Sequence, residues 1–195
     1  MDDPLIAVTG ATGHLGGTVA ARLAATGARL RLVVRDAGRA PDLAGAEVAV
    51  ATYDDADRLT AAFAGADTVF LVSAAEHPER VRQHDTAVDA AAAAGVLRVV
   101  YTSFLNAAPD ATFTLARYHW LTEQRLRGAG VTVTFLRDSM YLDFVAFFAG
   151  DRGVIAGPGG DGTSAPVART DVADVAVAVL HDRTGTHDGV TYDVT

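Results

Sequence analysis

Leu5-Ile6-Ala7-Val8-Thr9-Gly10-Ala11-Thr12-Gly13-His14-Leu15-Gly16-Gly17 is the stretch that decides the fold. Leu5–Thr9 is a short, nearly continuous apolar run, as a strand covered on both faces requires. Glycine follows at 10, 13 and 16, and helical composition begins at His14. Gly10 permits a tight turn off the strand, and Gly13 lets backbone approach a pyrophosphate with no Cβ in the way. Gly16 lets the new helix pack closely on the sheet. The amides near Gly13, His14 and Leu15 then point, with the helix dipole, at a negative ligand. Three spaced glycines are a weak signal in a chain with 19 of them. Placed between a strand and an amphipathic helix, they read as a dinucleotide site, the plainer alternative being a structural turn.

The next strand selects the dinucleotide. An acidic residue about 20 positions past the glycines would hold the ribose 2′-hydroxyl of NAD. Here the run Arg29–Val34 ends in Arg35, followed by Asp36. A guanidinium at that strand end suits a 2′-phosphate, which points to NADP (NADPH) over NAD. The competing reading leaves Arg35 in solvent and gives the binding to Asp36.

The same alternation runs along the chain. Strand-like runs recur at Ala46–Ala51, Thr68–Val72, Leu97–Thr102 and Val131–Leu136. Helical stretches fall at His14–Thr26, Asp55–Ala64, Glu79–Ala94 and Thr112–Arg127. Gly27, Gly65, Gly95 and Gly128 stand where left-handed C-caps are expected. The fold class is therefore α/β: a Rossmann-type doubly wound parallel sheet with helices on both faces. Past Leu136 the rhythm loosens into an aromatic, helix-like Ser139–Ala149, a turn-rich Gly153–Thr163, a helix over Asp171–His181 and a last strand Val190–Val194. Residues 1–195 read as one NAD(P)-binding domain, in which 137–195 contribute a minimal C-terminal substrate region.

In such sheets, ligands lie outside the carboxyl ends of the strands. That rule nominates Val72 and Ser73 after the fourth strand, Tyr101 and Ser103 on the fifth, and Tyr53-Asp54, which would edge the adenine. Ser73, Ser103 and Asp54 read equally as caps or turn residues.

Composition removes other functions. All 16 basic residues are Arg, and neither Lys nor Cys occurs. This excludes Schiff-base chemistry, a P-loop lysine, thiolate nucleophiles and disulfides. The formal net charge of −8 opposes nucleic-acid partners and anionic lipid. No stretch reads as a membrane span, and the acids of Met1-Asp2-Asp3-Pro4 do not suit a signal peptide, so a cytoplasmic protein is expected. His77, His84, His181 and His187 share no ligand spacing and read as surface or capping residues, so no metal site is expected.

The chain resembles the NmrA-like group of atypical short-chain dehydrogenases/reductases, and within it the type-2 quinone oxidoreductases. The resemblance is carried by Thr9–Gly16, Arg80-Val81-Arg82-Gln83-His84, Tyr101-Thr102-Ser103, Thr122–Leu126, Leu136-Arg137, Gly159–Gly162 and Arg169–Ala173. It implies an NADP(H) site at Gly10, Thr12, Gly13, His14, Leu15 and Arg35, with Ser73 near the ribose. It also implies a substrate pocket over the nicotinamide around Ser103, His119 and Tyr141; the place of Tyr141 and Phe144 after the sixth strand puts both beside the expected nicotinamide. By helical spacing alone, Tyr141 and Phe144 read as well as core residues.

Two departures bear on chemistry. Typical members carry Tyr-x-x-x-Lys on the helix after the fifth strand; here those positions hold Leu115 and His119. A ketone needs a proton donor at the forming alkoxide, whereas a reduced quinone is delocalised and draws protons from water or one His. The implied activity is thus NADPH-dependent hydride transfer to a quinone-like small molecule, with His119 and Ser103 as catalytic candidates. The alternative is a catalytically silent NADP(H) sensor. Members also continue past Thr195 into a lobe covering the substrate, so either the chain ends early here or the pocket is more open. Ala-rich helices packing across a two-fold axis would make a homodimer.

Overall fold

The computed structural model describes residues 3–155 and 160–195. Its seven strands form one all-parallel sheet. They are β1 (Leu5–Thr9), β2 (Arg29–Val34), β3 (Glu47–Val50), β4 (Thr68–Leu71), β5 (Arg98–Phe104), β6 (Thr132–Asp138) and β7 (Thr191–Val194). The order across the sheet is β3-β2-β1-β4-β5-β6-β7. From β1 the chain winds outward to β3, then returns past β1 to β4 and winds the other way. The connections after β1 and β4 therefore part from one another and open a crevice above their carboxyl ends.

Helices α1 (His14–Ala25), α2 (Ala56–Phe63), α3 (Arg80–Ala93), α4 (Thr114–Arg127), α5 (Val145–Ala149) and α6 (Arg169–His181) complete the fold. One face of the sheet packs against α1 and α6 through Leu15, Val19, Leu23, Val172, Ala176 and Leu180. The other packs against α2, α3 and α4 through Leu59, Phe63, Ala87, Val88 and Leu126. The four-residue spacing of the side chains named on α1, α2 and α6 lays one apolar stripe per helix on the sheet. Central β1 is buried along its length, and edge strand β3 is largely exposed, so burial falls toward the rim.

The doubly wound reading holds, and three local expectations are corrected. The left-handed glycine after α4 is Gly130 (φ +75°), not Gly128 (φ −88°). Ser139–Ala149 is not one helix. Tyr141 pairs with Val167, with Leu142 N–H donating to the Val167 carbonyl at 2.9 Å and Val167 N–H to that of Met140 at 3.0 Å. These bonds hold the backbone extended until a single 3₁₀ turn, Leu142–Phe144, leads into α5. Third, β5 runs two residues past Thr102, because β6 pairs with it as far as Phe104 opposite Asp138. Of the expected loop Gly153–Thr163, residues 156–159 lie outside the described residues.

Candidate active site

The glycine turn is built as its spacing requires. Gly10 has φ +62°, and a Cβ there would meet the Cβ of Val72 at 3.3 Å. A Cβ on Gly16 would lie 2.4 Å from the Gly10 carbonyl oxygen, so only glycine lets α1 start this close to β1. The Gly13 amide donates to that same carbonyl at 2.8 Å and so closes the turn. Gly13 then caps α1 with no side-chain acceptor, and the first turn carries no acidic residue. The amides of His14 and Leu15 therefore present the positive end of a 12-residue helix, beside the exposed Gly13 and His14 and the half-buried Thr12. This is a cradle for a diphosphate, and a side chain at Gly16 would collapse it.

Arg35 stands exposed just past the end of β2. It enters no ion pair among the described residues. Asp36, its rival for the ribose, accepts from the Gly38 amide at 2.9 Å and caps the short turn after β2. Asp54 is likewise occupied: it accepts from Arg82 Nη2 at 2.6 Å and Gln83 Nε2 at 3.1 Å, tying the β3 end to α3. Those bonds, the Arg82 one foremost, hold its carboxyl below the usual range.

A buried polar seam lies under the crevice. Tyr53 Oη is 2.7 Å from both Thr9 Oγ1 and the Val72 carbonyl, which fixes the ends of β1 and β4 against each other. The Ser73 amide donates to Thr102 Oγ1, and the Ala74 amide to His84 Nε2 at 2.9 Å. That second bond puts the His84 proton on Nδ1, from which it donates to Thr122 Oγ1 at 2.8 Å. His84 is thus wholly buried, not a surface histidine, and burial, with Arg80 nearby, drives its pKa to about 3.

His119 is in the same seam and only 5 % exposed. Arg80 Nη2 lies 2.8 Å from its Nε2, and Arg only donates, so Nε2 accepts. Nδ1–H is then left to donate to Tyr101 Oη at 2.9 Å. Burial, then the Arg80 charge, holds the ring well below its ordinary pKa, and it is neutral at physiological pH. Tyr101 is a core side chain with its phenol raised by burial. Ser103 Oγ donates to the wholly buried Glu123 at 2.7 Å. Burial alone would raise Glu123, but bonds from Arg137 (2.8 Å twice), Ser103 and Arg127 outweigh it and keep the carboxylate ionised.

Outside the carboxyl ends of β5 and β6 opens a cavity of about 470 Å³, lined by Phe104, Asn106, Phe113, Ser139, Met140 and Ser164 among others. The rings of Phe104 and Phe113 are 5.3 Å apart, and Phe104 is 6.0 Å from the His119 ring. None of these lining residues was nominated from the sequence. They directly follow residues that were, since Phe104 is next to Ser103 and Met140 next to Tyr141. The missing signal is β5 running on to Phe104. Tyr141 is half-buried and Phe144 43 % exposed, with ring centroids 6.3 Å apart and the Arg169 guanidinium over both. Tyr141 Oη bonds Asp138 Oδ2 at 2.8 Å. No cluster of metal-ligating side chains occurs among the described residues.

Comparison with known proteins meets this geometry. A family model described as NAD(P)H-binding matches residues 10–183. The chain belongs to the NAD(P)H-binding family. It is 36% identical over 197 residues to quinone oxidoreductase 2 of Escherichia coli, covering 97% of this chain and 68% of the relative. It is 39% identical over 200 residues to (4-alkanoyl-5-oxo-2,5-dihydrofuran-3-yl)methyl phosphate reductase of Streptomyces griseus, covering 97% and 67%. Among solved structures it superimposes on Citrobacter triphenylmethane reductase complexed with NADP(H), with a TM-score of 0.87 and 34% identity over 97% of this chain and 69% of that one. The resemblance to quinone oxidoreductases carried by the sequence motifs thus holds, and the glycine turn fits the nucleotide that gives the family its description.

Proposed function

We propose that this NAD(P)H-binding family member is an NADPH-dependent oxidoreductase that passes hydride to a quinone or a similar small conjugated carbonyl. The observation carrying the proposal is the uncapped glycine turn of α1 with the exposed guanidinium of Arg35 one strand away. The first accepts a diphosphate and the second a 2′-phosphate. The quinone, furanone and dye names of its relatives support the acceptor class.

When bound, the nicotinamide nucleotide supplies the hydride. The chain's own part is to hold it and to shape the acceptor's seat. Gly10, Thr12, Gly13, His14 and Leu15 would cradle the diphosphate, Arg35 the 2′-phosphate, and Val72 and Ser73 the ribose side, with Tyr101 beneath and Asp54 at the adenine edge. Residues 137–195, with Tyr141 and Phe144, would line the substrate side. The aromatic cavity beyond β5 and β6 suits a flat conjugated acceptor and keeps water off its faces. His119 and Ser103, held by Arg80, Tyr101 and Glu123, act here as positioning groups beneath the pocket. That absence of a Tyr-Lys dyad fits an acceptor whose reduced form spreads its charge. It also favours the one rival reading, a silent NADP(H) sensor.

NADPH oxidation against a panel of benzo- and naphthoquinones separates the two. Turnover with at least one acceptor is the expected result. Tight NADPH binding with no turnover on any acceptor makes the protein a sensor. Within this proposal the chain is cytoplasmic, has no nucleic-acid partner and forms a homodimer, the last checked by light scattering. No helix among the described residues is long and apolar enough to cross a membrane.

A further inference from the structure

We propose that Asp138 and Tyr141 form a proton relay that serves the oxygen of an acceptor reduced beyond the end of β6; this rests on the reductase reading above. Asp138 is the last residue of β6 and is 2 % exposed. It directly precedes Ser139 and Met140, which line the cavity. Its Oδ2 accepts from Tyr141 Oη at 2.8 Å, while its buried Oδ1 has no partner among the described residues. An ionised carboxylate would leave those lone pairs stranded, at a cost several-fold greater than for a neutral acid. The site therefore favours a carboxyl that keeps its proton, and burial pushes Asp138 up to about 7.

The surroundings agree. In register, β5 presents Phe104 to Asp138 and β7 presents Val194, both apolar. Arg137, one residue back, turns to the opposite face and is clamped to Glu123, and Asp193 sits opposite Arg137. From α6 comes Arg169, whose guanidinium lies 5.6 Å from the Tyr141 ring and is paired with Asp143 at 3.2 Å. Among the described residues, no cation bonds Asp138 itself. Tyr141 is half-buried where Asp138 is fully buried, so its ring stands between the buried acid and the surface. His119 is a poor rival for this task, since both of its ring nitrogens are engaged within the seam.

Reduction adds a hydride, which carries the electron pair and oxidises the nicotinamide, and then a proton at the oxygen left anionic. With Asp138 neutral, its proton donates to Tyr141 Oη, and the phenol O–H is released toward that oxygen. As the acceptor O–H bond forms, the Tyr141 O–H bond breaks and the Asp138 proton replaces it. Asp138 is left as a carboxylate accepting from Tyr141 and takes a proton from solvent before the next turnover.

Two measurements test this. In the purified chain carrying carboxyl-¹³C aspartate, one resonance should titrate near neutral pH and vanish in Asp138→Asn. In Tyr141→Phe its midpoint should rise, because the bond that favours the ionised form is gone. In turnover, kcat should fall as pH rises past neutrality. Asp138→Asn and Tyr141→Phe should each lower kcat roughly 100-fold, flatten that limb and leave the NADPH Kd unchanged. An Asp138 midpoint in the ordinary carboxylate range, or an Asp138→Asn profile like that of the wild type, overturns the relay alone. A wild-type chain that turns over no acceptor sinks the reductase reading and the relay with it.

Discussion

At Arg35 a single side chain decides between two cofactors that differ by one phosphate. It is exposed and enters no ion pair among the described residues, whereas its neighbour Asp36 already accepts from the Gly38 amide through Oδ1. A charge-assisted bond to a phosphate contributes about 1.5–3 kcal/mol, or roughly 10- to 100-fold in affinity. Arg35→Ala should therefore weaken NADPH by at least about tenfold while leaving NADH nearly unchanged. Titration of both nucleotides by fluorescence checks this, and equal losses for the two would remove Arg35 from the phosphate site. The motif residues were legible because they are local: three glycines and a strand end are read without knowing what they touch. His119 and Ser103 were legible as positions, but their partners were not. Arg80, Tyr101 and Glu123 come to them from other elements, and nothing in a one-dimensional pattern shows a guanidinium sealing the far side of an imidazole.

The elements tell a similar story with a different cause. β1, β2 and the start of α1 were readable to the residue because an apolar run, a glycine turn and a helical stripe agree there. Agreement fails at Tyr141, where aromatic spacing suggests a helix but pairing with Val167 keeps the chain extended. The far partner wins because two backbone hydrogen bonds fix what propensity only biases. The junction of β1 and α1 carries the element-scale prediction. A methyl on Gly16 would stand 2.4 Å from the Gly10 carbonyl, and that atom is backbone, so α1 has to move. Gly16→Ala should destabilise the protein by about 1–3 kcal/mol, as overpacking does. It should also weaken NADPH and NADH alike, because the shared diphosphate cradle shifts. A lowered melting temperature with unchanged affinity for both nucleotides would show that the cradle tolerates the displacement.

Across the whole molecule, the buried titratable groups set how folding responds to acid, and they oppose one another. His84 and His119 are neutral when folded, held below their ordinary pKa by burial. On unfolding each takes up a proton below about pH 6.5, which favours the unfolded chain as pH falls. Asp138 has the reverse sign: folded, it keeps its proton up to about 7. Unfolded, it releases that proton above about 3.9, so its contribution weakens the fold as pH rises through this window. Below about pH 6.5 the two histidines bind protons only when unfolded, and Asp138 keeps one only when folded, so their effects partly cancel. Stability should then fall as pH drops below about 6, with Asp138 blunting the loss. Asp138→Asn removes the opposing group, leaves both histidines in place and should steepen the slope. Urea unfolding at several pH values in each protein reads this out, because the slopes compare each chain with itself and any uniform loss of stability in the variant cancels. Equal slopes in the two proteins would mean that Asp138 ionises in the folded state as an ordinary carboxylate does, and the neutral acid at the end of β6 would be lost with it.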